Sequence, residues 1–156
     1  MNAVKIDGRL TVAGQPEIAD FSSLSAQGYK SIINARPDGE DHGQPGNMRE
    51  KSAAGTAGLA YSFIPVTGPT MTEADIRAFQ QAMAEADGPV FAHCKGGTRA
   101  LTLYVLGEAL SGGQLLPVGT LDLLADGGRV EVEELLERRD LGEQQGGLRR
   151  TFGVFQ

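Results

Sequence analysis

The feature that most constrains the fold is an apolar segment that turns through two glycines into a second apolar segment. Residues 89–93 are apolar enough for a central strand, and residues 100–111 are apolar on nearly every side of a helix. The only cysteine of the chain, Cys94, stands where the strand ends, and Arg99 stands where the helix begins. A buried strand, a tight loop and a buried helix together predict the centre of an α/β domain.

The loop between these two segments suits an anion. The first N–H groups of a helix have no partner inside the helix, and the helix dipole adds partial positive charge there. Glycines allow such a loop to curl its N–H groups inward. A thiolate at Cys94 would be stabilised as a nucleophile, and Arg99 would offer a planar fork to two oxygens of an oxyanion. The predicted anion-binding residues beside this catalytic pair are Lys95, Gly96, Gly97 and Thr98.

The remaining chain predicts strands that alternate with helices. Strands are expected at 4–6, 10–13, 30–34 and 59–64, and helices at 16–28, from 47 to between 54 and 58, at 73–86, 117–125 and 132–139. The first two strands are expected to form a hairpin that flanks the sheet. Asn47 is expected to cap the helix that starts there, and Thr72 and Asp75 are expected to form a capping box before the helix at 73–86. This order predicts an α/β fold with a mainly parallel sheet of four or five strands, flanked by helices. The domain is expected to cover residues 1–140, and residues 141–156 a flexible tail.

A long loop rich in glycine, proline and charge follows the strand at 30–34. Loops at the carboxyl ends of parallel strands converge on one crevice, so this loop is expected to face Cys94. Arg36 is predicted to be a second anion contact. Asp38 and Glu40 are candidate proton donors, and a solvated turn carboxylate is the simpler alternative for each.

These residues resemble the active loop of the cysteine-dependent phosphatases, in which His-Cys is followed by five residues and an arginine. His93, Cys94 and Arg99 match that pattern, but only four residues separate Cys94 from Arg99. A closer resemblance, carried by residues 13–16, 32–40 and 94–99, is to the bacterial family described as beta-lactamase-hydrolase-like or dual-specificity-phosphatase-like. The short loop is normal in that family, and the resemblance implies a dual-specificity-phosphatase fold.

The resemblance also implies roles for three residues. It implies that His93 supports the loop by hydrogen bonding, rather than acting as a base. It places the Gly-Gln-Pro turn near the active loop, so Gln15 is expected either to touch substrate or to cap a helix. Dual-specificity phosphatases carry an aspartate as general acid a few residues past the next strand, whereas residues 67–70 read Thr-Gly-Pro-Thr. In the resembling families a serine or threonine directly after the arginine donates to the cysteine sulfur. Ala100 stands at that position and has no hydroxyl, so Thr98 or Thr102 is expected to donate to Cys94 instead.

The sequence is therefore consistent with three functions. The first is a phosphatase-like hydrolase of phosphate monoesters that works through a phosphocysteine. The second is a sulfurtransferase carrying a persulfide on Cys94, because four-residue loops are also typical of rhodanese-type enzymes. The third is a non-catalytic oxyanion-binding module.

Composition narrows the partners. The formal net charge of −6 makes the chain a poor candidate for binding nucleic acid, so an anionic small molecule or a phosphorylated substrate is the expected partner. One cysteine excludes an internal disulfide. No apolar run approaches the ~18 residues that span a membrane, so a cytoplasmic protein is expected. With only His42, His93 and Cys94 as soft ligands, neither a metal nor another cofactor is expected.

Overall fold

Residues 2–112, which the computed structural model describes, form five strands and four helices. The strands are β1 (Ala3–Lys5), β2 (Leu10–Ala13), β3 (Ser31–Asn34), β4 (Ala60–Phe63) and β5 (Val90–His93). The helices are α1 (Asp20–Ala26), α2 (Asn47–Thr56), α3 (Glu73–Glu85) and α4 (Thr98–Leu110). The helices predicted at 117–125 and 132–139, the domain boundary at 140 and the tail lie outside the described residues.

The five strands form one sheet in the order β1-β2-β5-β3-β4. Only the β1–β2 pair is antiparallel, which confirms the predicted mainly parallel sheet with β5 at its centre. The register aligns Ala13 and Asn34 with His93, and Phe63 with Asn34. The loops that follow β2, β3, β4 and β5 therefore all leave the sheet at one end, the carboxyl end of its parallel strands, as the sequence predicts.

The predicted hairpin is present, but it does not merely flank the sheet. All four residues of β2 are buried, and β2 pairs in parallel with β5. An apolar strand covered on both faces belongs inside a sheet, so of the two hairpin strands only β1 lies at an edge.

Helix α1 begins at Asp20, so the predicted start at Pro16 is wrong. The preceding turn is held elsewhere, because the Gln15 N–H donates to the Lys95 carbonyl over 3.1 Å. The Asp20 carboxylate then accepts from the Glu17 N–H over 2.8 Å, which sets the entry to the helix.

The two faces of the sheet carry separate cores, because successive strand residues point to opposite faces. Val90 and Ala92 pack on the side of α3 and α4, where Phe79 and Leu103 are buried. Phe91 packs on the opposite side with buried residues of α1 and α2. The sheet is thus covered on both faces, which explains why β5 is continuously apolar.

Two helix N-termini, those of α2 and α3, bind side chains of the loops at the carboxyl end of the strands. Asn47 was expected to cap α2, but it is the first helical residue, and the Asp38 carboxylate accepts its N–H over 2.7 Å. The predicted capping box of Thr72 and Asp75 is confirmed at the start of α3. None of the helices at residues 2–112 is long and apolar enough to cross a membrane.

Candidate active site

Cys94 lies deep in its loop, directly after β5, and is 1% exposed. The backbone N–H of Gly97 donates to its sulfur over 3.0 Å. Gly97 has φ +101° and precedes the first residue of α4, so a side chain there would be strained. Of the two loop glycines, which the sequence predicts to allow such angles, Gly97 has a positive φ and Gly96 does not. The sulfur therefore sits at the N-terminal end of a buried helix, where partial positive charge is greatest.

A second turn packs directly against this loop. A Cβ placed on Gly14 would lie 3.1 Å from the Lys95 carbonyl oxygen, closer than most side chains come to backbone. The same carbonyl accepts the Gln15 N–H. The glycine of the Gly-Gln-Pro turn thus permits a close approach that fixes the Cys94 loop against the end of β2.

The guanidinium of Arg99 is bound on one edge. Nη1 donates to Glu40 Oε1 over 2.5 Å and to the Val66 carbonyl over 2.9 Å, and Nη2 donates to Glu40 Oε2 over 3.0 Å. Glu40, together with the nearby Cys94 side chain, raises the pKa of Arg99. Nε–H and the second N–H of Nη2 have no oxygen or nitrogen acceptor among residues 2–112, and the Cys94 side chain lies close to this guanidinium. A guanidinium presents five donors, so this second edge remains for an oxyanion.

Arg36 is almost fully buried, at 5% exposure, and binds three side chains. Its Nε donates to Glu40 Oε2 over 2.9 Å, its Nη1 to Gln15 Oε1 over 3.1 Å, and its Nη2 to Asp41. Asp41 also pairs with the Lys95 ammonium at 3.0 Å. The long loop is therefore tied to the Cys94 loop through charged groups, as its position at the same edge predicts.

Glu40 is an acceptor for both arginines. The hydrogen bond from Arg99, helped by the one from Arg36, lowers the pKa of Glu40 to about 2. The carboxyl is therefore ionised near neutral pH and holds no proton to donate. This geometry favours Glu40 as the group that orients Arg99 over Glu40 as a proton donor.

Asp38 lies in the same loop but outside this ion network. Its Oδ1 caps α2, while Oδ2 has no hydrogen-bond donor among residues 2–112. The predicted role of Asp38 as a proton donor stays a prediction, and so does substrate binding by Thr98. Thr102 is engaged, since its hydroxyl donates to the Thr98 carbonyl over 2.8 Å.

His93 does not bond to the sulfur but to a buried carboxylate. Its Nε2 lies 2.8 Å from Glu50 Oε2, and both side chains are fully buried. Nδ1 lies 3.4 Å from the Cys94 carbonyl, which is a long contact. The other oxygen of Glu50 accepts from Gln15 Nε2 over 2.8 Å. A line of buried hydrogen bonds thus runs from Arg36 through Gln15 and Glu50 to the residue before the cysteine.

Glu50 is the site residue that sequence reasoning missed. Its signal is a carboxylate on the same face of α2 as the buried Ala54, four residues later. A charged residue on an apolar helix face needs a partner, and His93 is that partner. No three side chains among His, Cys, Asp and Glu of residues 2–112 come together as metal ligands.

Comparisons with known proteins show which family this chain is similar to. Residues 4–111 match the family described as "Beta-lactamase hydrolase-like protein, phosphatase-like domain". A beta-lactamase hydrolase-like protein of Agrobacterium fabrum is 81% identical over 112 residues, which are 72% of this chain and 26% of that protein. A protein of the same name from Xylella fastidiosa is 54% identical over the same shares of the two chains. The chain thus spans about a quarter of the length of these relatives.

A solved structure from Neisseria meningitidis, of a protein described as a proposed phosphatase, is similar throughout. It is 31% identical with a TM-score of 0.70, and the match covers 90% of this chain and 98% of that one. The fold of this domain is therefore that of a phosphatase-like protein, which confirms the resemblance that the three motifs carry.

The buried carboxylate provides a first test. Glu50→Ala removes the carboxyl group that bonds to His93 and Gln15, and leaving a buried polar group unsatisfied costs about 1 to 3 kcal/mol for each group. Glu50→Gln keeps one acceptor oxygen and should cost clearly less. Urea unfolding of both variants measures these free energies. A loss below about 1 kcal/mol for Glu50→Ala would mean that the pair does not hold the site together.

The ionised Glu40 predicts a pH dependence. Its pKa is lower in the folded chain than in the unfolded one, so its stabilising effect is complete above about pH 4.5 and is lost as the pH falls toward 2. The difference in unfolding free energy between wild type and Glu40→Gln should shrink across this window. Urea titrations at several pH values measure it. A difference that stays constant from pH 6 to pH 3 contradicts the assignment.

Proposed function

This chain belongs to the family of phosphatase-like domains of beta-lactamase hydrolase-like proteins, and we propose that it hydrolyses phosphate monoesters through a phosphocysteine intermediate. The observation that carries the proposal is the contact of the Gly97 N–H with the Cys94 sulfur at the start of α4. Beside it, the unbound edge of Arg99 offers two parallel N–H donors. A nucleophile and an oxyanion clamp are thus held by one loop, as acyl and phosphoryl transfer both require.

The chemistry follows from these positions. The Cys94 thiolate attacks phosphorus in line, so that a sulfur–phosphorus bond forms as the phosphorus–oxygen bond to the leaving group breaks. Arg99 and the loop N–H groups stabilise the three equatorial oxygens, where charge develops. The leaving alkoxide takes a proton. Water then attacks the phosphocysteine, inorganic phosphate leaves, and the thiolate is restored.

We propose Asp38 as the proton donor for the leaving group. Glu40 is bound by two guanidinium groups and Asp41 by Lys95 and Arg36, so both carboxyls are held in the ionised form. Asp38 keeps one oxygen out of these pairs. Among the carboxylates of this loop, Asp38 is therefore the one that both arginines and Lys95 leave free of an ion pair.

One observation favours a second function. Only four residues separate Cys94 from Arg99, and the resulting ring encloses less space than a loop of five. A sulfurtransferase would use the same thiolate to break the sulfur–sulfur bond of thiosulfate, keep the outer sulfur as a persulfide and release sulfite. A thiol acceptor would then take the sulfur.

Intact mass after incubation with thiosulfate, or separately with an aryl phosphate, tests the two functions. Phosphate release that disappears in Cys94→Ser, without a sulfur adduct on the wild type, is the expected result. A gain of one sulfur on the wild type alone, with no phosphate released, would instead establish sulfur transfer and end the phosphatase assignment. Ligand binding without turnover in either protein would leave an oxyanion-binding module.

The proton donor can be tested through the leaving group. Asp38→Asn keeps an oxygen to cap α2 but cannot supply a proton, so hydrolysis of alkyl phosphates should slow by roughly 10²- to 10⁴-fold. Hydrolysis of 4-nitrophenyl phosphate, whose leaving group needs no proton, should change little. Steady-state kinetics with both esters make the comparison. Equal losses on both, with unchanged unfolding free energy, would remove Asp38 from the mechanism.

A further inference from the structure

We propose that Arg36 and Lys95 form a second anion subsite beside the Cys94 loop, which binds a carboxylate or a second phosphate of the substrate and which Asp41 fills when no substrate is bound. The inference rests on the proposed function, which assigns the first phosphate to Cys94 and Arg99. It narrows the substrate class to phosphate esters that carry a further acidic group.

One oxygen of Asp41 lies between two cations. Oδ2 accepts from Arg36 Nη2 and lies 3.0 Å from Lys95 Nζ. An oxygen shared between a guanidinium and an ammonium is the arrangement by which proteins bind carboxylates and phosphates. The Asp41 carboxylate therefore shows which chemical group this pair of cations accepts.

The Arg36 half of the subsite is fixed in place. Its side chain is 95% buried, and Glu40 and Gln15 hold Nε and Nη1. Nη2 is therefore presented in a constant direction, whatever occupies the subsite. A buried guanidinium without an anion on that side is costly, so a departing Asp41 has to be replaced by another anion.

Of the two cations, Lys95 holds Asp41 weakly, because their side chains are 64% and 44% exposed and exposed ion pairs contribute little stability. Arg36 is buried and holds Asp41 more firmly, so Asp41 leaves when another anion takes its place at Nη2. The hydrogen bond from Lys95 lowers the pKa of Asp41, so the group competes with a substrate as a full negative charge. Glu40 differs, because it is 25% exposed and bound by both arginines. Of the two loop carboxylates, Asp41 is the one that a substrate displaces.

Displacement of Asp41 also changes the charge that a substrate meets. Arg36, Lys95 and Arg99 carry three positive charges, and Glu40 and Asp41 neutralise two of them. Once Asp41 swings out, one further positive charge faces the crevice.

Binding of two non-hydrolysable probes tests the subsite. Methylphosphonate carries one acidic group, and phosphonoacetate carries the same phosphonate with an added carboxylate. NMR titration gives the dissociation constant of each probe for wild type, Asp41→Asn and Asp87→Asn. Asp87 is an exposed carboxylate just before β5, at the end opposite Cys94, so its substitution controls for net charge.

We expect Asp41→Asn to bind phosphonoacetate about two- to fivefold more tightly, because a competing exposed ion pair is removed. Methylphosphonate should change no more than in Asp87→Asn. Lys95→Gln should lower the preference for phosphonoacetate over methylphosphonate. Equal tightening of both probes by Asp41→Asn, or a preference unaffected by Lys95→Gln, would overturn the subsite.

The outcome separates this inference from the proposed function. If methylphosphonate binds to no variant, the phosphate site at Cys94 fails, and the phosphatase assignment fails with it. The comparison of phosphonoacetate between Asp41→Asn and Asp87→Asn still decides whether Arg36 and Lys95 bind an acidic group that Asp41 otherwise replaces.

Discussion

The structure depends on the burial of β5 on both faces and both edges. β2 and β3 pair with it in parallel, and two apolar cores cover it, so its carboxyl end cannot shift. The chain can turn back only through Gly97 into α4, which must also be buried. Cys94 is thereby fixed at the start of a helix. The partial positive charge that Cys94 meets at the N-terminus of α4 is therefore a consequence of packing, because burial of β5 and α4 determines where that N-terminus lies.

A rigid scaffold alone would leave three cations close together at the edge of the sheet. Glu40 and Asp41 neutralise most of that charge in two different ways. Glu40 accepts hydrogen bonds from both Arg36 and Arg99, whereas Asp41 accepts one from Arg36 and forms an ion pair with Lys95. Glu40 holds Arg99 in its orientation through two hydrogen bonds. Asp41 links the loop at 35–46 to Lys95 of the Cys94 loop.

Much of this arrangement can be predicted from local sequence. The alternation of strands and helices, the central position of β5 and the capping box at Thr72 depend on residues close in the chain, and the structure confirms them. The loops that converge at one edge follow from parallel topology. These predictions succeed because apolar burial and helix capping determine them, and both are visible in a single segment.

The predictions that fail depend on contacts between distant segments. The start of α1 is shifted because Gln15 bonds to Lys95, and α2 is capped by Asp38 from nine residues earlier rather than by Asn47. The partner of His93 lies on α2, 43 residues away. A charge on an apolar helix face signals that some partner exists, but identifying it requires knowing which helix covers which face of the sheet.

The two contacts of the Gln15 amide limit which residue types can stand at position 15. The amide oxygen accepts from Arg36 and the amide nitrogen donates to the Glu50 carboxyl group, so the two ends of one planar group meet a donor and an acceptor. A carboxylate here could accept from Arg36 but has no hydrogen to donate to Glu50, and an ammonium could donate to Glu50 but could not accept from Arg36. The glutamine amide does both without adding a charge. Gln15 thereby connects the ion pairs of Arg36 to the buried pair of Glu50 and His93. A change in the position of either pair would therefore be passed to the other through this amide.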